Sequence, residues 1–87
     1  MKEIIAIVAD PMGLHARPVS ILSSVASKYE SEIKLSSNGR DANLKSVMNV
    51  MSLGVKKGHE ISIKAIGPDE LDAINEIKET LRANELI

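Results

Sequence analysis

The dipeptide Asn38-Gly39 limits the fold of this chain more than any other feature. Both residues readily take positive φ, the geometry of a two-residue turn whose twist matches that of paired strands. The flanking residues fit a hairpin. Glu32 to Ser37 reads as a strand with Ile33 and Leu35 turned inward, and Arg40 to about Asn43 as a short, polar return strand at a sheet edge. Glu60 to Ala65 alternates, with Ile61, Ile63 and Ala65 on one face and Ser62 and Lys64 on the other, which marks a half-buried strand. Ile4 to Ala9 reads as another strand, short, rich in β-branched residues and ended by Asp10-Pro11. It is apolar on both faces, so one face is expected to show an unusually apolar surface around Ile5 and Ile7.

Helical spacing fills the gaps between these strands. Pro18, Ile21, Leu22, Val25, Ala26 and Tyr29 form the stripe of an amphipathic helix from about Ala16 to about Ser27, with Ser20, Ser23, Ser24 and Lys28 on its polar face. A short helix follows Ser46 and ends near Gly54. Gly67-Pro68-Asp69 starts a third, with Asp69 as its N-cap and Glu70 and Asp72 in its first turn. Its buried stripe reads as Ile74, Ile77 and Leu81, with Ala73 and Lys78 alongside. The order βαββαβα predicts an α+β fold: a mainly antiparallel four-stranded sheet with three helices on one face. Residues 1–87 read as a single domain. Tyr29 is the only aromatic residue, so the core must be aliphatic.

Composition removes several function classes. Eleven basic and twelve acidic residues give a net charge of −1, no footprint for nucleic acid. There is no cysteine and hence no disulfide or thiol chemistry. The longest apolar run, Ile4 to Ala9, is far short of a membrane span, and Met1-Lys2-Glu3 does not lead into a signal-peptide core. A cytoplasmic monomer is the simplest expectation. His15 and His59 lack metal-ligand spacing, and no nucleotide-binding signature is present, so neither metal nor cofactor is expected. His59, in the Lys56-Lys57-Gly58-His59 loop, reads as solvated.

The segment Gly13-Leu14-His15-Ala16-Arg17-Pro18 carries the chemistry. Proline is tolerated in a helix only in the first turn, which puts His15 at or just before the helix N-terminus. The first amides of a helix, that of Ala16 among them, lack intrahelical partners and face anions. Arg17 adds a full positive charge. Neutral imidazole is a nucleophile, and these groups would stabilise a phosphoryl group carried on it. The same spacing also fits a histidine that only caps a helix beside a solvated arginine.

The short helix has a surplus apolar face. Val50 and Leu53 suffice to meet the sheet, which leaves Val47, Met48 and Met51 as a partly exposed cluster. Methionine adapts its shape, so such a cluster suits a surface that meets several partners. Burial on both sides is the competing reading. Ser46 fits an ordinary N-cap, and its position would tolerate a phosphate.

Asp10-Pro11-Met12-Gly13-Leu14-His15-Ala16-Arg17-Pro18 resembles the active-site signature of the HPr family, the histidine phosphocarriers of the bacterial phosphoenolpyruvate:sugar phosphotransferase system. Asn43-Leu44-Lys45-Ser46-Val47-Met48-Asn49-Val50-Met51-Ser52-Leu53-Gly54 resembles the regulatory serine segment of its Gram-positive-type members. The resemblance runs over essentially the whole chain. It implies an open-faced sandwich and a carrier rather than an enzyme. His15 would accept a phosphoryl group on Nδ1 from phosphorylated enzyme I and pass it to the IIA domains of sugar permeases. Arg17 and the Ala16 N–H would contact that group. Ser46 would be the target of an HPr kinase/phosphorylase, with a catabolite-control transcription regulator as a further partner. Val47, Met48 and Met51 would dock partners. Two positions depart from the family pattern. Met12 stands where relatives place a small polar residue, and Asn49 where Gly or Lys is commoner. The alternative is a regulatory binding module that works through Ser46 and Met48/Met51 without histidine transfer.

Overall fold

The computed structural model describes residues 1–87. The chain runs β1 (Lys2–Ile7), α1 (Ala16–Ser27), β2 (Glu32–Ser37), β3 (Arg40–Asn43), α2 (Val47–Met51), β4 (Glu60–Ile66) and α3 (Glu70–Ala83). The strands form one sheet in the order β1-β4-β2-β3, with every neighbouring pair antiparallel. Asn38 and Gly39 take φ of 53° and 77°, which closes the β2–β3 hairpin and leaves β3 at the edge.

The register decides which face is buried. Ile4 lies opposite Ile63, Ile63 opposite Leu35, and Leu35 opposite Ala42, so one apolar row crosses the whole sheet. These residues join Leu22, Ala26, Leu44, Val50, Ile74, Ile77 and Leu81 from the helical side in one aliphatic core. The other face carries Glu3, Glu32, Lys34, Ser36, Ser62 and Lys64 and meets solvent. This is the expected open-faced sandwich. Ile5 and Ile7 point outward, 62% and 54% exposed, so the apolar outer surface expected of the first strand is present.

Several local expectations need correction. β1 begins at Lys2 and ends at Ile7 rather than spanning Ile4 to Ala9. Backbone pairing is indifferent to side-chain polarity, and Lys2 and Glu3 pair with Ala65 and Lys64 at the strand's exposed start. Val8 and Ala9 leave the sheet and donate instead to the His59 and Leu86 carbonyls, at 3.0 and 2.8 Å. On α1, the buried face is Pro18, Val19, Leu22, Ser23 and Ala26, while Ile21 is exposed. Ser23 was expected on the polar face. Its hydroxyl donates to the Leu44 carbonyl at 2.8 Å, which satisfies it inside. Lys78 lies exposed, outside the buried stripe of α3. α2 has only five residues and ends at Met51, before the turn that reaches Gly54.

Asp69 sits at the start of α3 but makes no side-chain cap bond. Its carboxylate reaches back to accept the N–H groups of Glu30 and Ser31, at 2.9 and 3.0 Å, and the Ser31 hydroxyl. Glu70 takes over locally, accepting the Gly67 N–H at 3.2 Å and pairing with the N-terminal ammonium at 2.7 Å. The tertiary contact wins because it satisfies three donors at the α1–β2 connection.

Candidate functional site at the α1 N-terminus

A tight turn delivers the chain to α1. The Gly13 N–H donates to the Asp10 carbonyl at 2.8 Å, and Asp10 Oδ1 accepts the Met12 N–H at 2.8 Å. Pro11 presets φ at the second position of this turn, and aspartate locks it through its own side chain. Gly13 has φ +68°, and a Cβ there would stand 2.4 Å from the Val55 carbonyl oxygen. The Leu14 N–H donates to that same oxygen at 3.0 Å, and the Leu14 side chain is buried. The loop is thus docked onto the segment that follows α2.

His15 is the N-cap of α1, with φ −91° and ψ 175°. Its carbonyl accepts the first helical hydrogen bond, from the Val19 N–H at 3.2 Å. The N–H groups of Ala16 and Arg17 have no protein acceptor, and Pro18 has no N–H. The imidazole makes no capping bond, so it does not compete for those amides. Its side chain is 30% exposed, and Nε2 lies 3.4 Å from Asp10 Oδ2. Nδ1 has no protein partner. Arg17 is exposed, and no carboxylate pairs with it.

Asp10, His15, Arg17, Pro18 and Asn84 line a shallow depression of about 120 Å³. Asn84 was missed by sequence reasoning. It is the C-cap of α3, whose end is folded back by bonds from the Glu85 N–H to the Arg82 carbonyl and from the Leu86 N–H to the Leu81 carbonyl, at 3.1 and 2.9 Å. Leu86 is fully buried and its carbonyl accepts the Ala9 N–H. That strand-end bond brings the C-terminus to the histidine loop, a long-range placement no local motif announces. Asp10 stood in the quoted signature, but its proximity to the ring was not foreseen.

The second motif sits on α2, which packs against α1. Ser46 is its N-cap and accepts the Asn49 N–H at 3.2 Å. Asn49 Oδ1 accepts the Asn43 N–H at 2.8 Å, which ties α2 to the edge strand. Met48 is 82% exposed and Met51 39%, whereas Val47 is partly buried against the core. The surplus face is therefore chiefly the two methionines. His59 is partly buried rather than free, and its Nδ1 accepts the Lys56 N–H at 3.1 Å within its own turn.

No helix of the chain is long and apolar enough to cross a membrane. The family model described as "PTS HPr component phosphorylation site" matches residues 2–83. The chain is 49% identical to the phosphocarrier protein HPr of Mycoplasma pneumoniae and 47% identical to that of Mycoplasma capricolum, over all of this chain and 100% and 98% of those proteins. A solved mycoplasma histidine-containing phosphocarrier protein superposes with a TM-score of 0.98 at 46% identity, over 99% of this chain and 98% of the other. HPr from Bacillus anthracis superposes at 0.82 with 28% identity, over 91% and 94%. A histidine at a helix N-cap position beside unpaired amides, on an open-faced sandwich that matches these proteins over nearly its whole length, leads to one conclusion: the chain belongs to the HPr family of phosphotransferase-system phosphocarriers.

Proposed function

We propose that His15 carries the phosphoryl group on Nδ1, taking it from phosphorylated enzyme I and giving it to IIA domains of sugar permeases in the cytoplasm. The observation that carries this reading is the combination at the α1 N-terminus. One ring nitrogen faces Asp10, the other is free, and two amides and an unpaired guanidinium stand ready for an anion. Phosphoryl transfer needs an in-line nucleophile and stabilisation of charge spread over the phosphoryl oxygens. The Ala16 and Arg17 N–H groups, fixed by the helix start, supply the latter without reorganising, and the exposed Arg17 guanidinium adds a mobile positive charge. The shallow depression suits a group handed between proteins, because each partner can approach the ring closely.

Val47, Met48 and Met51 form the partner-docking patch in this reading, with the two methionines supplying most of its exposed apolar surface. Ser46 is the regulatory site. A phosphate there adds about −1.5 to −2 charge at a helix N-terminus, where the fold tolerates it and docking of acidic partner groups does not. An HPr kinase/phosphorylase would install it, and a catabolite-control transcription regulator would read it.

The test is a reconstituted relay. Labelled phosphoenolpyruvate, enzyme I, this protein and a IIA domain should move label through the chain to the IIA domain, and His15→Ala should stop it. Transfer that survives His15→Ala contradicts the proposal.

A further inference from the structure

We propose that Asp10 is the positioning residue of this carrier: its carboxylate fixes the His15 ring with the proton on Nε2, which leaves the Nδ1 lone pair as nucleophile. This inference rests on the reading of His15 as the phosphoryl acceptor.

The geometry divides the two carboxylate oxygens between two tasks. Oδ1 accepts the Met12 N–H at 2.8 Å, and the Asp10 carbonyl accepts the Gly13 N–H at 2.8 Å, so the side chain is held by its own turn. Oδ2 is then aimed at His15 Nε2, 3.4 Å away. An ionised carboxylate only accepts, so the ring nitrogen facing it must donate. In a neutral imidazole one nitrogen donates and the other accepts, and the bond made by one sets the state of the other. No other protein group bonds to either ring nitrogen. Asp10 and His15 are both partly buried, at 19% and 30% side-chain exposure, which keeps solvent from wholly screening the contact.

The neighbouring position cannot serve. Met12 offers only a weakly accepting thioether, makes no bond to the ring, and is 72% exposed.

The contact also balances the transfer step. The Nδ1 lone pair forms the new bond to phosphorus, and the donor's bond to phosphorus breaks, its electron pair leaving with the donor. The Nε2 proton stays where it is. The ring becomes a phosphoimidazolium with a positive charge, and the Asp10 carboxylate faces that charge. Handing the group onward reverses each of these changes, so no proton has to move in either direction.

Asp10→Asn separates this role from the turn. The amide oxygen still accepts the Met12 N–H, while its NH₂ faces the ring and donates. That arrangement rewards the ring with its proton on Nδ1, where it blocks the nucleophile. Asp10→Ser keeps an oxygen for the turn but places neither acceptor nor donor near the ring. The experiment records long-range ¹H–¹⁵N correlations of the His15 ring at about pH 8.5, above the ordinary imidazole range near 6.5, in unphosphorylated protein. It then measures initial rates of phosphorylation by enzyme I and phosphoenolpyruvate. Amide spectra confirm that each variant is folded.

In wild type, His15 is expected to show protonated Nε2 and bare Nδ1. Asp10→Asn should shift the ring toward the Nδ1–H form and slow acceptance by about tenfold, the leverage of one ordinary hydrogen bond on a tautomer equilibrium. Asp10→Ser should fall between the two. An unchanged tautomer signature in Asp10→Asn overturns the inference, whatever the rate does, and so does an unchanged rate. Failure of wild type to accept phosphate at His15 would instead overturn the reading of His15 itself, and the ring spectra of the unphosphorylated protein tell the two failures apart.

Discussion

Gly13 and Val55 meet backbone to backbone: a Cβ on Gly13 would stand 2.4 Å from the Val55 carbonyl oxygen, and the next residue donates to that oxygen at 3.0 Å. This contact is what holds the histidine loop against the segment after α2. It also needs φ +68°, which side-chain-bearing residues adopt at a cost.

Gly13→Ala should therefore lower stability by about 1–3 kcal/mol, from the clash and the strained φ together. It should also slow phosphoryl acceptance, because the loop cannot retreat from Val55 without moving His15. Urea melts and initial rates check both. Wild-type values for both would show that the loop is not clamped as described.

Acid stability should trace the carboxylates that bind across the fold. Asp69 is held below its ordinary 3.8 by the Ser31 hydroxyl and then the Glu30 N–H. Glu70 and Glu76 are held below 4.5, the first chiefly by the N-terminal ammonium and the second by Lys28 and then Tyr29. A depressed folded value means stability that is present above the unfolded value and lost as pH falls through the folded one. Melting temperature should thus decline from about pH 4.5 downward. Asp69→Asn should melt lower at neutral pH and show a flatter acid limb. The hydrogen bond to Glu76 raises Tyr29 from 10.0 to about 12, so its contribution has the opposite sign: full below pH 10 and lost as pH rises through about 12. A pH–melting series on Asp69→Asn and Tyr29→Phe tests the assignment; parallel curves for the variants and wild type would contradict it.

Met48 buries little on folding, and Met51, 39% exposed, buries only part of its surface. Changing both to Gln should cost less than about 1–2 kcal/mol of stability while weakening enzyme I binding. Calorimetry of folding and titration of binding separate the two effects. A large stability loss would place these side chains in the core instead.

Ser46 serves as a cap in any reading, so Ser46→Ala should lower stability by about 1 kcal/mol. Ser46→Asp should melt at or slightly above wild type, because an acid favours a helix N-terminus. Its phosphorylation on His15 should be slower, with partial recovery at higher ionic strength. Equal rates for Ser46, Ser46→Ala and Ser46→Asp would reduce this residue to its capping role.

Short-range chemistry made much of this molecule legible. Asn38-Gly39 placed the hairpin, the alternation through Ile61, Ile63 and Ala65 placed β4, and Pro18 placed His15 at the N-cap. What escaped were partners chosen by the tertiary structure. Ser23 can be buried because its hydroxyl donates to the Leu44 carbonyl, distant in sequence. Asp69 abandons its helix for Ser31, and Asn49 ties α2 to Asn43. Asn84 reaches the histidine depression because it caps the C-terminus of α3, just before the tail whose Leu86 carbonyl accepts the Ala9 N–H. Asp10 was visible as a turn residue, but the direction of its second oxygen depends on the docked loop. Periodicity reports faces and ends; it carries no information about which distant group will meet them.

The most direct test of the central claim is nuclear magnetic resonance of ¹⁵N-labelled protein after phosphorylation by enzyme I and phosphoenolpyruvate. The phosphorus–nitrogen coupling identifies the atom that carries the phosphoryl group. The account predicts a single phosphorus bonded to Nδ1 of His15, with Nε2 still protonated and His59 and Ser46 unmodified. Phosphorus on Nε2, on His59, or on neither histidine would contradict it.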